Sequence, residues 1–174
     1  MVKSSEFNIP FIGLKDGRHD FTFEIDNTFF ANFDYLDFHK SHFNVNVTLN
    51  KKTTHLEFHF EANGYVTIPC DLSTELFDLP LMPSEDLVVK FGSNTEQLDD
   101  HIMVIPVGSF QVDISQQIYE MILLALPQKN IHPGVADGTL SSEIMDKLKE
   151  LAPKEKAIKQ GDDPRWDKLK DLLK

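Results

Sequence analysis

Alternation of apolar and polar residues dominates most of this chain. Phe7-Asn8-Ile9-Pro10-Phe11 predicts a first strand, at a sheet edge because Pro10 has no N–H to donate. Asp16-Gly17 is a turn signal, after which Phe21, Phe23 and Ile25 alternate again. Asp26 or Thr28 then caps a short helix carrying Phe29, Phe30 and Phe33. From His42 to Cys70 the pattern is clearest. Phe43, Val45, Val47 and Leu49 share one strand face, Asn50-Lys51-Lys52-Thr53 turns the chain, and Leu56, Phe58 and Phe60 share a face of the next strand. Asn63-Gly64 reads as a type I′ hairpin, so Val66, Ile68 and Cys70 fall on a third strand of an antiparallel meander.

Phe77-Leu79-Leu81 and Leu87-Val89-Phe91 predict two more strands, and Ser93 to Asp100 a polar, acidic loop. Ile102 to Val107 and Phe110 to Val112 predict a last strand pair around Gly108. The period then changes. Asp113 with Gln116 resembles a capping box, and Ile114, Ile118, Met121, Ile122 and Ala125 recur at helical spacing until Pro127. This helix is apolar nearly all round towards its end, which predicts burial against the sheet. A second helix is expected over Ser141 to Leu151 with Ile144, Leu148 and Leu151 on one face. The expected fold is α+β: a largely antiparallel sheet of about six to nine strands, a meander either open or barrel-like, packed by a buried helix. Two further helices lie towards the C-terminus. Residues 1–151 are read as a β-rich domain with packed helices, 152–162 as a charged linker, and 163–174 as a short amphipathic helix.

That terminal segment, Asp163-Pro164-Arg165-Trp166-Asp167-Lys168-Leu169-Lys170-Asp171-Leu172-Leu173, holds the only Trp of the chain. Asp163 suits a cap and Pro164 the first turn. Trp166, Leu169, Leu172 and Leu173 form one apolar face. A helix of about ten residues is marginal alone in water, so it needs a surface, on its own domain or on a partner. Trp and Arg are enriched where partners bind. Arg165, Trp166, Lys168, Leu169 and Leu172, with Lys170 at the rim and Asp163 and Pro164 setting the helix start, are the candidate contact.

Composition sharpens the β-rich reading, because 14 of the 174 residues are Phe and Phe suits half-buried strands. The net charge of −11, from 28 acidic and 17 basic residues, argues against a general nucleic-acid clamp. It is unevenly spread. Lys154 to Lys174 holds seven basic and five acidic residues, whereas the other 153 residues carry −13. One cysteine, Cys70, excludes an intramolecular disulfide. No secretory signal or membrane-length apolar run is visible, so a cytoplasmic, acidic protein is expected.

Chemistry is sparsely signalled. His55, Glu57 and His59 share a strand face and include zinc-ligand types. Alternate residues stand about 7 Å apart, however, which favours a solvated polar face over a metal. A metalloenzyme or hydrolase would need those side chains to converge with another ligand. Cys70 alternates onto the apolar face, which predicts a buried, inert thiol. His132-Pro133-Gly134, in the loop leaving the buried helix, is a turn and a candidate loop contact. No catalytic set, metal set or cofactor motif is evident.

The strand Gly64-Tyr65-Val66-Thr67-Ile68-Pro69-Cys70, the helix Ile118 to Pro127, His132 and the closing Asp163-Pro164-Arg165-Trp166-x-x-Leu169 follow one another in an order that resembles the YceD-like family, the large ribosomal RNA subunit accumulation proteins. The resemblance covers most of the chain from about Thr48 onward. Many members carry Cys-x-x-Cys where this chain has Cys70 and Ser73, with Leu72 replacing a usual Arg, and a second cysteine cluster starting near His132. If those clusters bind zinc in relatives, one Cys and one His fall short of four ligands here. The resemblance implies a non-enzymatic ribosome-biogenesis factor supporting rRNA accumulation for the large ribosomal subunit. Its partner would be the large-subunit precursor, through a basic ribosomal protein or rRNA, with no membrane, DNA or cofactor involved. The competing reading from the Phe-rich pattern is a β-barrel-like carrier of a small apolar ligand, with a cavity walled by Phe43, Phe58, Phe60 and Phe91.

Overall fold

The computed structural model describes residues 6–92, 101–140 and 143–151. Its elements are β1 (Asn8–Pro10), β2 (Gly17–Asp26), α1 (Asn27–Ala31), β3 (Lys40–Lys51), β4 (His55–Pro69), β5 (Leu76–Leu81), β6 (Ser84–Gly92), β7 (Ile102–Pro106), β8 (Gln111–Asp113), α2 (Ser115–Leu124), α3 (Pro133–Ala136) and α4 (Glu143–Leu151). The architecture is α+β with mostly antiparallel strands. Six strands form one sheet in the order β2-β3-β4-β6-β7, with β5 also on β4, and β1 pairs with β8 separately. No closed barrel forms among the described residues. The path ends at β2 and β7, and the last pairing, β6 with β7, is parallel.

Alternation explains the core. Phe43, Val45, Val47 and Leu49 of β3 and Leu56, Phe58, Phe60, Ala62 and Val66 of β4 are all buried on one face. The expected hairpin at Asn63-Gly64 does not exist, because β4 runs unbroken through both residues, with Asn63 opposite Asn44 and Gly64 opposite Phe43. Period two continues through Phe60, Ala62, Gly64 and Val66, so the strand pattern overrides the local turn signal. Gly64 serves a different purpose. A Cβ there would stand 2.0 Å from the His42 carbonyl oxygen and 2.7 Å from the Phe43 ring, so the glycine permits close backbone approach. β4 is thereby long enough to pair with β3 along one edge and with β6 and then β5 along the other.

The expected pairing of Ile102–Val107 with Phe110–Val112 is also corrected. β7 adds to β6, whereas β8 pairs with β1, Asn8 opposite Asp113. A turn at Gly108 (φ +95°), closed by bonds from the Ser109 N–H (3.1 Å) and hydroxyl (2.8 Å) to the Pro106 carbonyl, reverses the chain without returning it to β7. Asp26 caps α1, accepting from the Thr28 N–H at 2.8 Å. Before α2, Asp113 accepts from the N–H (2.9 Å) and hydroxyl (2.6 Å) of Ser115. Gln116 donates forward to Glu120 at 2.8 Å. Ile118, Met121 and Ile122 of α2 join the core cluster, but Leu124 is 84% exposed, so the helix is one-sided rather than apolar all round. α4 matches the second expected helix in position, yet Ile144 and Leu151 of its apolar face are exposed.

Candidate functional site

Two places gather the chemistry-bearing residues: the polar face of the sheet, and a joint between the end of β4 and the loop after α2. On the sheet face, the Glu57 carboxylate takes bonds from Lys52, from Asn50 (3.0 Å) and from the His55 ring (3.1 Å). The Lys52 ammonium, with His55 helping, holds Glu57 below the usual carboxylate range. His59 points instead to Asp86, its register partner on β6, with Nδ1 2.6 Å from the carboxylate. That bond raises the His59 pKa above its ordinary value. His55 and His59 thus turn to different acids, as their strand spacing predicts, and no group of three or more His, Cys, Asp or Glu side chains among the described residues could hold a metal. Asp86 was invisible as a partner in the sequence, because only the β4–β6 register brings it to His59.

A hollow of about 290 Å³ lies on this face between Thr48, Asn50, Glu57, His59, Asp86 and Val88. A second, of about 330 Å³, lies beside Asn46, Glu61, Asn63, Met82 and Ser84. Neither is the Phe-walled cavity expected of a carrier, since of Phe43, Phe58, Phe60 and Phe91 only Phe58 lines one of them. Phe43, Phe58 and Phe60 are packed in the core, and Phe91 leans on Phe11 with ring centroids 5.6 Å apart.

At the joint, Cys70 lies buried at the end of β4, as alternation predicts. Its sulfur accepts the backbone N–H of Ser73 at 3.4 Å and that of His132 at 3.3 Å. Burial pushes the thiol pKa up, but these N–H donors, with help from the Ser73 hydroxyl and the Leu72 N–H, outweigh it and bring the pKa down to about 7. The thiol is thus buried as expected, and its sulfur is engaged by backbone donors rather than open to solvent. Next to it, the Asp71 N–H donates to the Asn130 carbonyl (2.8 Å) and Asp71 Oδ2 accepts the Asn130 N–H (2.7 Å). His132 starts α3, its Nδ1 accepting the Gly134 N–H at 2.9 Å, with Pro133 at the first helical position. Its ring meets the edge of Phe77, centroids 5.4 Å apart. The turn that carries Cys70 and Ser73 includes Thr74 at φ +59°, an outlier for a β-branched residue.

The joint does not fit zinc. Such a site takes four N or S ligands. Here one thiol stands with a hydroxyl residue at the position three further on, and the His132 Nδ1 is already occupied by its own helix start. The Asn130 amide oxygen is buried with no partner among the described residues, but an amide oxygen suits hard cations rather than zinc.

The candidate terminal contact, Asp163, Pro164, Arg165, Trp166, Lys168, Leu169, Lys170 and Leu172, lies outside the described residues, as do the linker and the acidic loop 93–100. Among the described residues no helix is long and apolar enough to cross a membrane. No curated protein and no solved structure matches the chain. A family model does match, over residues 58–173, a span that holds both sides of the Cys70–His132 joint and the terminal segment. Covering well over half of the sequence, that match makes this chain a member of the family described as large ribosomal RNA subunit accumulation protein YceD.

Proposed function

We propose that this protein supports accumulation of large-subunit rRNA in the cytoplasm as a non-enzymatic assembly factor, by binding a basic ribosomal protein of the large-subunit precursor. The observation that carries this reading is the acidic outer face of the sheet, which no described helix packs against. Register places Asp20, Glu24, Asp26, Glu57, Glu61, Asp78 and Asp86 on that face, against Arg18, Lys40 and Lys90. With histidines neutral the face carries an excess of four negative charges. Such a surface repels phosphate backbones and steers basic polypeptides. In this reading the body ends near residue 151, and 152–162 links it to the helix 163–174. There Arg165, Trp166, Lys168, Leu169, Lys170 and Leu172 make the second contact, while His132-Pro133-Gly134 lies at the base of the segment leading to it.

The test is a pull-down from cells with the full chain, at low and moderate salt, with and without nuclease. A basic large-subunit protein retained after nuclease treatment, and lost with Asp20→Lys/Glu61→Lys/Asp86→Lys, supports the reading. Capture abolished by nuclease, or unaffected by the charge reversals, overturns it. Arg165→Ala and Trp166→Ala should weaken co-sedimentation with large-subunit precursors while the body stays folded. Wild-type sedimentation of both variants removes the tail from the contact.

A further inference from the structure

We propose that the Cys70–His132 joint is a metal-independent clasp, in which the cysteine sulfur is a hydrogen-bond acceptor rather than a ligand. The sequence sets a Cys-x-x-Ser turn and a His-Pro-Gly turn 62 residues apart, which on paper is half of a zinc site. The fold does bring the two turns together, but it spends their donors and acceptors on each other. Three bonds cross the joint: His132 N–H to Cys70 Sγ, Asp71 N–H to the Asn130 carbonyl, and Asn130 N–H to the Asp71 carboxylate. Within each turn a further bond fixes the geometry, Ser73 N–H to Cys70 Sγ on one side and Gly134 N–H to His132 Nδ1 on the other.

What a metal lacks here is a ligand set. A sulfur that collects two N–H bonds favours the thiolate, but it is the one thiol of the chain, and no group of three or more possible ligands gathers among the described residues. Ser73 is fully buried, and its hydroxyl accepts the Glu75 N–H at 3.4 Å. The Gly134 N–H holds the His132 ring in its own turn, and a Cβ at Gly134 would crowd that ring, Leu140 and Thr139 at 3.1 Å. The clasp anchors the chain between α2 and α4 to the end of β4, so the root of the C-terminal third is held by the polypeptide alone.

Three measurements on the full-length protein decide this. Protein purified from zinc-supplemented cells should carry substoichiometric metal. Its thermal midpoint, and the hydrogen exchange of the Ser73 and His132 amides, should be the same with and without chelator, in contrast to proteins whose fold depends on bound zinc. Cys70→Ala should speed exchange of both amides about ten-fold or more, because each loses its acceptor in a buried place. Stoichiometric zinc, a chelator-induced fall in the midpoint, or unchanged exchange in a folded Cys70→Ala overturns the proposal. Should Cys70→Ala fail to fold, Asp71→Asn, which keeps the shape and removes the charge, replaces it. It should speed exchange of the Asn130 amide, and protection equal to wild type overturns the clasp.

Discussion

Along β4, Phe58, Phe60, Ala62 and Val66 are sealed from water, whereas Glu57, His59, Glu61 and Asn63, each one peptide away, lie on the polar face. The two faces are held by different physics. The inner one joins a single apolar cluster in which edge-to-face and tilted Phe contacts recur, such as Phe30 against Phe38 at 4.9 Å and Phe7 against Phe29 at 4.9 Å. The outer one is a set of short polar pairs in water, each worth little to stability. A strand can therefore keep its fold on one side while its other side is free to carry recognition.

Substitutions on neighbouring residues of β4 test that division most directly. Phe60→Ala should cost about 3–5 kcal/mol by chemical denaturation, because the ring is fully buried. Glu61→Ala, one residue on, should change stability by less than about 0.5 kcal/mol. Comparable losses at both positions would erase the distinction between the faces. Gly64→Ala comes next, at about 3 kcal/mol, the upper end of overpacking costs, since the new methyl meets the His42 backbone. If the variant is as stable as wild type, a close approach of β3 is not what the glycine serves.

A further small effect is expected on the outer face and depends on pH. Asp86 raises the His59 pKa above the ordinary 6.5. This pair therefore adds stability that is complete below pH 6.5 and disappears as pH rises through the folded-state value. Both side chains are largely exposed, so the contribution should stay below about 1 kcal/mol. Asp86→Asn should lower the His59 titration midpoint followed by NMR and flatten the pH dependence of the midpoint of unfolding above pH 6.5. An unchanged titration would mean that the pair does not persist in water.

Much of this division was legible in the sequence, because period two is a property of one strand at a time. β2, β3, β5, β6 and the presence of α1 follow from alternation and capping residues alone, while the choice of Asp26 over Thr28 as the cap needed the structure. Pairing is not a local property, so the partners of β7 and β8 could not be read from the turn at Gly108. Asn63-Gly64 misled for a related reason. The dipeptide has a local preference for turning, but the neighbouring strand, with the Phe43 ring against Gly64, decides its conformation. At the candidate sites, the separation of His55 from His59 was readable from strand rise, and so was the burial of Cys70. The meeting of Cys70 with His132, and the grip of Asp71 on Asn130, depend on tertiary closure that no spacing rule expresses.

The pairing of β1 with β8 has a consequence for the order in which the chain takes shape. β2, β3 and β4 meet neighbours a short distance along the chain, and hairpins of that kind close within microseconds. β1 joins residue 8 to residue 113, a closure with a larger entropy cost that grows with the logarithm of loop length. During synthesis Phe7 and Ile9 therefore wait, without their strand partner, until Asp113 has left the ribosome. β1 is thus made long before the strand it pairs with, and a chain truncated before residue 113 keeps that apolar edge open to whatever else is folding nearby.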